Sequence, residues 1–288
     1  MVTTGSLNVE ETVPVIVARE IQMYTMPNLE FWARINHHER EDFDVGDTLQ
    51  IPTYLTRPTV GANLGTGLDG EPAEAATVTA TYNDQNTGGV NVFIQHWYHV
   101  GIELSAYAEA VSQADLQGMF KQAGLDSLAV QIDTTVGDLA TGFLQIQGTL
   151  GTPLTDDLIV DGGTELDIAE VPDGNRSFVF SAEEKGNYLK IDKYINSLYR
   201  GDTAPLTRGE IGSLYGQDWA WSTNVNGSAG THSSLMFHPD AIGGVMRREP
   251  VVKAADVEDP LLTTRIVAMS IWGVNETRDP FGVLMRGS

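Results

Sequence analysis

Thr48-Leu49-Gln50-Ile51-Pro52-Thr53-Tyr54-Leu55 and Thr77-Val78-Thr79-Ala80-Thr81-Tyr82 bracket the stretch that decides how this chain is built. Both runs alternate apolar and polar residues with period two, the mark of a strand with one covered face. Between them, residues 58–76 carry glycine at 61, 65, 67 and 70 and proline at 58 and 72, with hardly any large apolar side chain. Such a segment cannot build a core of its own. Two strands around a long glycine-rich tip predict a hairpin arm that projects from the body. Unstructured loops of that length in a folded domain are commonly functional, so the arm is expected to seek a partner. A second turn, Asn83-Asp84-Gln85-Asn86-Thr87-Gly88-Gly89, leads into Val90-Asn91-Val92-Phe93-Ile94 and signals another hairpin.

Downstream lies the strongest helical pattern. Ser112 suits an N-cap, with Asp115 placed as the acid of a capping box. Leu116, Met119, Phe120, Ala123, Leu125, Leu128, Ala129, Ile132, Val136, Leu139 and Phe143 then recur every three or four residues. The expected span, 112–143, is about 30 residues or roughly 45 Å of helix. Gly124 and Gly137 weaken it locally and permit a bend or a close approach.

The remaining segments give shorter signals. Residues 13–17 are β-branched, 23–35 look helical, and His37-His38-Glu39-Arg40-Glu41-Asp42 ends an N-terminal stretch with no core pattern, which predicts an arm packed on something else. Residues 148–174 read as an acidic loop containing Asp156, Asp157, Asp161, Glu165, Asp167 and Asp173. A short strand at 177–180 precedes a helix carrying Tyr188, Leu189, Ile191 and Ile195. Residues 209–225 suggest a strand pair, and 232–245 run from strand to helix with Pro239 in the first turn. Residues 263–284 read as two strands around the turn at 275–280.

Bulk composition bounds the function. The 288 residues are 41% hydrophobic and 19% charged, ordinary for a folded protein. Lys and Arg total 17 against 39 Asp and Glu, a net charge of −22. So acidic a surface repels phosphate backbones and anionic headgroups, which disfavours sequence-specific DNA binding, although acidity also serves plain solubility. The absence of cysteine excludes disulfides, thiolate metal sites and cysteine nucleophiles. No apolar run approaches the roughly 20 residues of a membrane span. The opening residues lack the basic and apolar segments of a secretory signal, so folding in a cytosol is expected.

Catalytic constellations are weak throughout. His96-Trp97-Tyr98-His99 has HxxH spacing, but on a strand residues three apart face opposite ways, and no Glu follows His96 in the zincin manner. His37 and His38 are adjacent and face apart. Gly61-Ala62-Asn63-Leu64-Gly65-Thr66-Gly67 lacks the Lys-Ser/Thr of a phosphate loop. Asp156, Asp157 and Asp161 do not match a twelve-residue calcium loop and read as solvated acids. His232 beside Ser233 and Ser234 is mere adjacency. No catalytic residue, cofactor or metal is expected.

The order of arm, strand, glycine-rich hairpin, strand, long helix, mixed region and closing strands resembles the Hong Kong phage-type capsid fold. Tailed-phage coats, encapsulin shells and the herpesvirus capsid floor share it. Gly209-Glu210-Ile211-Gly212-Ser213-Leu214-Tyr215-Gly216, followed by Trp219-Ala220-Trp221-Ser222-Thr223-Asn224-Val225, resembles the family's glycine-rich run. Leu235-Met236-Phe237-His238-Pro239-Asp240-Ala241-Ile242 resembles its strand-into-helix step, residues 274–280 its closing strand pair, and Arg176-Ser177-Phe178-Val179-Phe180 the strand opening its axial domain.

The resemblance implies an α+β chain in five parts. They are an N-terminal arm (1–46), an extended β-hairpin E-loop with flanking strands (47–96), a peripheral domain with the spine helix (97–147), a mixed α/β axial domain (148–259) and return strands of the peripheral domain (260–288). It implies a major capsid protein assembling into pentamers and hexamers of an icosahedral, DNA-filled head, and so a virion shell built in the host bacterial cytoplasm. Expected subunit contacts are Tyr54, Arg57, Leu64, Leu68, Glu71 and Glu74 on the E-loop, and Arg200, Arg208, Trp219 and Trp221 in the axial domain. Expected partners are the chain itself, a scaffolding protein, a portal and a decoration protein, with packaged DNA touched only non-specifically and no membrane. Some family members cross-link an E-loop Lys to an Asn; residues 52–82 contain no Lys, so that chemistry is not expected. An encapsulin-type compartment shell and a soluble acidic enzyme are the alternatives.

Overall fold

A single long helix organises the molecule. In the computed structural model, which describes residues 29–38, 48–54, 87–105, 116–196, 212–257 and 263–288, helix α1 (Leu116–Asp138) runs 23 residues and tightens into a 3-10 turn at Leu139–Gly142. Leu128, Ile132, Val136 and Ala140 form its buried stripe, continued by Phe143 just beyond. The two internal glycines serve close approach. A methyl group on Gly124 would sit 3.1 Å from Cβ of Ala268, and one on Gly137 would sit 2.8 Å from the Asn224 carbonyl oxygen.

Two larger sheets share this helix. The first has four strands in the order β1 (Asn36–His38), β11 (Ile242–Val257), β12 (Thr263–Glu276) and β4 (His96–Ser105). The β1–β11 pairing is parallel and the other two are antiparallel. Register shifts around Arg248 accommodate Pro250, which cannot donate to a regular ladder. The second sheet has seven strands. Its path is β5 (Ile146–Gly148), β13 (Gly282–Gly287), β10 (Thr231–Phe237), β6 (Ser177–Ser181), β8 (Gln217–Ser222) and β7 (Ser213–Leu214), with β9 (Asn226–Ser228) also on β10. Every residue of β6 is buried, as suits a central strand.

One continuous ribbon joins the sheets. β10 passes into β11 through a 3-10 turn at Pro239–Ala241, and β12 passes into β13 through another at Asp279–Phe281. Each turn has proline in its first positions, where a missing N–H costs nothing. Since β10 pairs with β13 and β11 with β12, the two chain segments run antiparallel through both sheets. They kink side by side between them.

Several expectations change. Residues 148–174 are not all loop: helix α2 (Asp156–Ile168) occupies half of them, capped by Thr155, whose side chain accepts from Leu158 N–H. Asp156 and Asp157 in its first turn complement the helix dipole. The helix expected around Tyr188 divides into α3 (Ala182–Tyr188) and α4 (Asp192–Ile195). After Pro239 the chain makes one 3-10 turn and returns to strand, because Ile242, Gly243 and Gly244 pair across to β12. Residues 29–38 are not a loose arm in this subunit. Phe31 and Ile35 are core residues, and Asp133 Oδ1 of α1 accepts the Phe31 and Trp32 N–H groups at 2.8 and 2.9 Å. β11 lies with β4 and β12, while β13 lies with β6, β8 and β10.

Candidate assembly surfaces

The first strand expected in the opening stretch is present, and it belongs to a hairpin. β2 (Thr48–Tyr54) pairs antiparallel with β3 (Thr87–Phe93), from Thr48 opposite Phe93 to Tyr54 opposite Thr87. Thr77–Tyr82, assigned that role from its alternation, lies outside the described residues, as does the whole tip at 55–86. Val90 to Phe93, assigned to a second hairpin, belongs to this one.

Among the described residues β2 and β3 pair only with each other, so the hairpin depends on its root for support. That root is seated on glycines of the four-stranded sheet. A side chain on Gly243 would collide with Ile51 at 2.8 Å, and Val92 lies in van der Waals reach at 3.6 Å. One on Gly273 would reach the Phe93 carbonyl oxygen at 2.4 Å. Asn275 Nδ2 completes the seat by donating to the Asn91 carbonyl oxygen at 2.9 Å. Val92 is fully buried there, while Phe93 is 50% exposed.

Beside the root, β4 forms one edge of the four-stranded sheet. Its first residues expose aromatic surface, with Trp97 at 71% and Tyr98 at 41%. His96, Tyr98 and the buried Trp272 form a stack, and burial against it pushes the His96 imidazole below its usual range. His96 and His99 lie on one strand, so the HxxH pair gathers no shared metal position. Among the described residues no group of three His, Asp or Glu side chains could hold a metal ion.

A second region surrounds the β7–β8 turn. Tyr215 adopts a positive φ of 51° and Gly216 follows at 74°, which reverses the chain tightly. Asp156 anchors the turn. Its Oδ1 accepts from the hydroxyls of Tyr194 and Tyr215, each at 2.5 Å, and its Oδ2 accepts from Lys193 Nζ at 2.7 Å. Burial alone would raise the Asp156 carboxyl, but the donors from Lys193, Tyr194 and Tyr215 hold it below the usual range. It is therefore a structural anchor, where the sequence suggested a solvated acid.

Trp219 and Trp221 differ in kind. Trp219 is 6% exposed and meets Phe178, Phe180, Tyr188 and Tyr194 edge-on, at centroid distances of 5.2 to 5.8 Å. Its surface is spent inside the subunit, leaving little for a neighbour. Trp221 is half-buried and carries Lys185 Nζ 4.6 Å above its ring. Tyr54 ends β2, opposite Thr87. Arg57, Leu64, Leu68, Glu71, Glu74, Arg200 and Arg208 lie outside the described residues. The seat glycines and Asn275 escaped sequence reading. Their one available signal was the repeated glycine inside strand patterns at 243–244 and 273, which can mark close backbone approach.

Neither the protein-family models nor the curated protein sequences yield a match to this chain. Solved structures do. A chain of Mycobacterium phage Che8 superimposes with a TM-score of 0.78 at 21% identity, over 95% of this chain and 96% of that one. This chain has the phage capsid fold. A chain from the capsid of cyanophage P-SCSP1u agrees at a TM-score of 0.73 and 15% identity, covering 100% of this chain and 97% of its own. One from the asymmetric unit of the bacteriophage PhiM1 mature capsid follows at 0.66 and 12%, covering 94% and 90%. The α+β architecture expected from the order of elements is thus that of capsid chains along nearly its whole length. No helix among the described residues is long and apolar enough to cross a membrane.

Proposed function

We propose that this chain is the major capsid protein of a tailed bacteriophage, acting by assembly with copies of itself and not by catalysis. The observation that carries the proposal is full-length correspondence to chains of phage capsids, with a hairpin that, among the described residues, pairs only with itself and rests on a glycine seat. A hairpin with so little cover of its own gains most by lying on a neighbouring subunit. Repeated heterologous contacts of that kind close into rings and shells. Pentamers and hexamers of an icosahedral head enclosing double-stranded DNA are the assemblies this reading implies. The virion shell is its location and the host cytoplasm its place of construction.

Partners follow from the same reading: a scaffolding protein, a portal and a decoration protein. The net charge of −22 suits contact with packaged DNA that stays weak and non-specific. On the hairpin, Tyr54, Arg57, Leu64, Leu68, Glu71 and Glu74 are the proposed subunit contacts. Arg200, Arg208, Trp219 and Trp221 are the contacts proposed around the symmetry axes, with most of Trp219 already buried in its own chain. Negative-stain electron microscopy of the purified protein, with and without a scaffolding partner, tests this. Closed shells or capsomer rings are expected; discrete monomers under all conditions would overturn it.

A further inference from the structure

Asn226-Gly227 is the one Asn–Gly pair in the chain. An asparagine followed by glycine is prone to lose its side-chain amide, because no side chain on the next residue shields the backbone nitrogen that attacks it. Asn226 opens the short strand β9, which among the described residues pairs only with β10, with Asn226 opposite Ser233. Gly227 and Ser228 are exposed. An open cleft of about 600 Å³, lined by Asp138, Asn224, Asn226 and Gly227 among others, gives water access to this pair.

The fold requires the glycine. Gly227 has a φ of 138°, a region that residues with a side chain rarely enter. A methyl group there would collide with the Thr231 carbonyl oxygen and lie 2.9 Å from His232 Cα. The tight β9–β10 turn therefore keeps the labile pair. The asparagine is instead held by its side chain. Its Nδ2 donates to Asp138 Oδ1, at the end of α1, at 2.7 Å. Two residues earlier Asn224 Nδ2 donates to Asp133 Oδ2 at 3.0 Å, so the helix grips residues 224–226 through two amide–carboxylate bonds. An amide that donates to a carboxylate gains electron density, which makes its Cγ a poorer electrophile. The bond also fixes the side chain in one place, whereas attack needs Cγ to swing onto the Gly227 nitrogen.

We propose that Asn226 is a site of spontaneous deamidation and that Asp138 is the positioning residue that slows it. In the reaction the Gly227 backbone nitrogen bonds to Cγ of Asn226 and the Cγ–Nδ2 bond breaks. The proton of the attacking nitrogen passes through water to the departing group, which leaves as ammonia. A five-membered imide ring remains. Water adds to either carbonyl of the ring and opens it, giving aspartate or its β-linked isomer. A carboxylate at 226 accepts and no longer donates, so the bond to Asp138 is lost and two like charges meet beside the exit of α1. The Asn224 bond to Asp133 is untouched, which confines the release to β9 and its end of the cleft.

Peptide mapping by mass spectrometry of the full chain, aged in mildly alkaline buffer, tests this. Asn226 is expected to convert to a mixture of aspartate and isoaspartate, while Asn175, exposed but followed by Arg176, keeps its amide. Asp138→Ala should speed the conversion about three- to tenfold, the effect of losing one exposed hydrogen bond to a charged group. Asp138→Asn keeps an oxygen acceptor and should stay near the unaltered rate. Asp138 is exposed, so neither substitution disturbs the core. An amide at 226 that survives in all three proteins would overturn the site, and equal rates in Asp138→Ala and the unaltered chain would overturn the role of Asp138. Asn226→Asp reads the consequence: hydrogen exchange within 226–228 should quicken, and added salt should restore part of the protection by screening the two carboxylates. Unchanged exchange would overturn the release of β9.

Discussion

The β2–β3 hairpin and the β6–β8 region of the seven-stranded sheet use opposite means to stay in place. β6 lies between β10 and β8 with all five residues buried, and Phe178, Phe180, Tyr188, Tyr194 and Trp219 interlock around it. Aromatic pairs of this kind add about 0.5–1.5 kcal/mol each beyond the area they bury. The hairpin has two strands, and its described residues meet the body at a seat of two glycines and Asn275, with Val92 fully buried there. One region draws its stability from within the subunit. Among the described residues the other meets the body at its root.

Substitutions can break that division. The largest effect is expected from Trp219→Ala, which empties the aromatic nest and should cost about 3–5 kcal/mol. Denaturant unfolding would measure it, and a loss below about 1 kcal/mol would mean the nest is not what holds the sheet. Gly273→Val comes next. Its side chain displaces the Phe93 carbonyl from the seat and should cost about 1–3 kcal/mol through overpacking. Assembly into particles should fail in this variant while the far-ultraviolet circular dichroism stays native, and normal particles would show that the root need not be seated. The smallest change in stability is expected from Trp97→Ser on the exposed end of β4, within about 0.5 kcal/mol. Its particle yield should nonetheless fall, and an unchanged yield would remove this aromatic edge from the contact surface.

How much could be read from sequence follows the same line. The spine helix was legible because its pattern repeats locally: Leu128, Ile132 and Val136 keep helical spacing whatever they pack against. α2 was not. Its Gly162-Gly163 pair and its acids read as loop, yet a methyl group on Gly162 would lie 2.9 Å from Met285 Sδ, so the glycine is there for packing on β13. Sequence reading placed the strand at 48–54 but not its pairing with 87–93, since register between two alternating runs is set by packing and not by local pattern. Asp133 carried no local signal at all. Its role depends on Phe31 and Trp32 about a hundred residues away, and on Asn224, whose Nδ2 donates to it at 3.0 Å. Trp219 invited a surface role as an aromatic in a glycine-rich run, and only the fold shows four other rings closing over it.

The seat beneath the hairpin also fixes an order of events during synthesis. Residues 48–54 and 87–93 leave the ribosome early, but the glycines that receive them lie at 243 and 273. β12, which carries Gly273, pairs with β4 across some 160 residues of sequence, a long closure that is slow to form. Domains emerge from the N-terminus onward, so the projecting element waits unanchored until nearly the whole subunit has been made. A nascent chain thus seats the root of its hairpin only after the strands that carry Gly243 and Gly273 have formed.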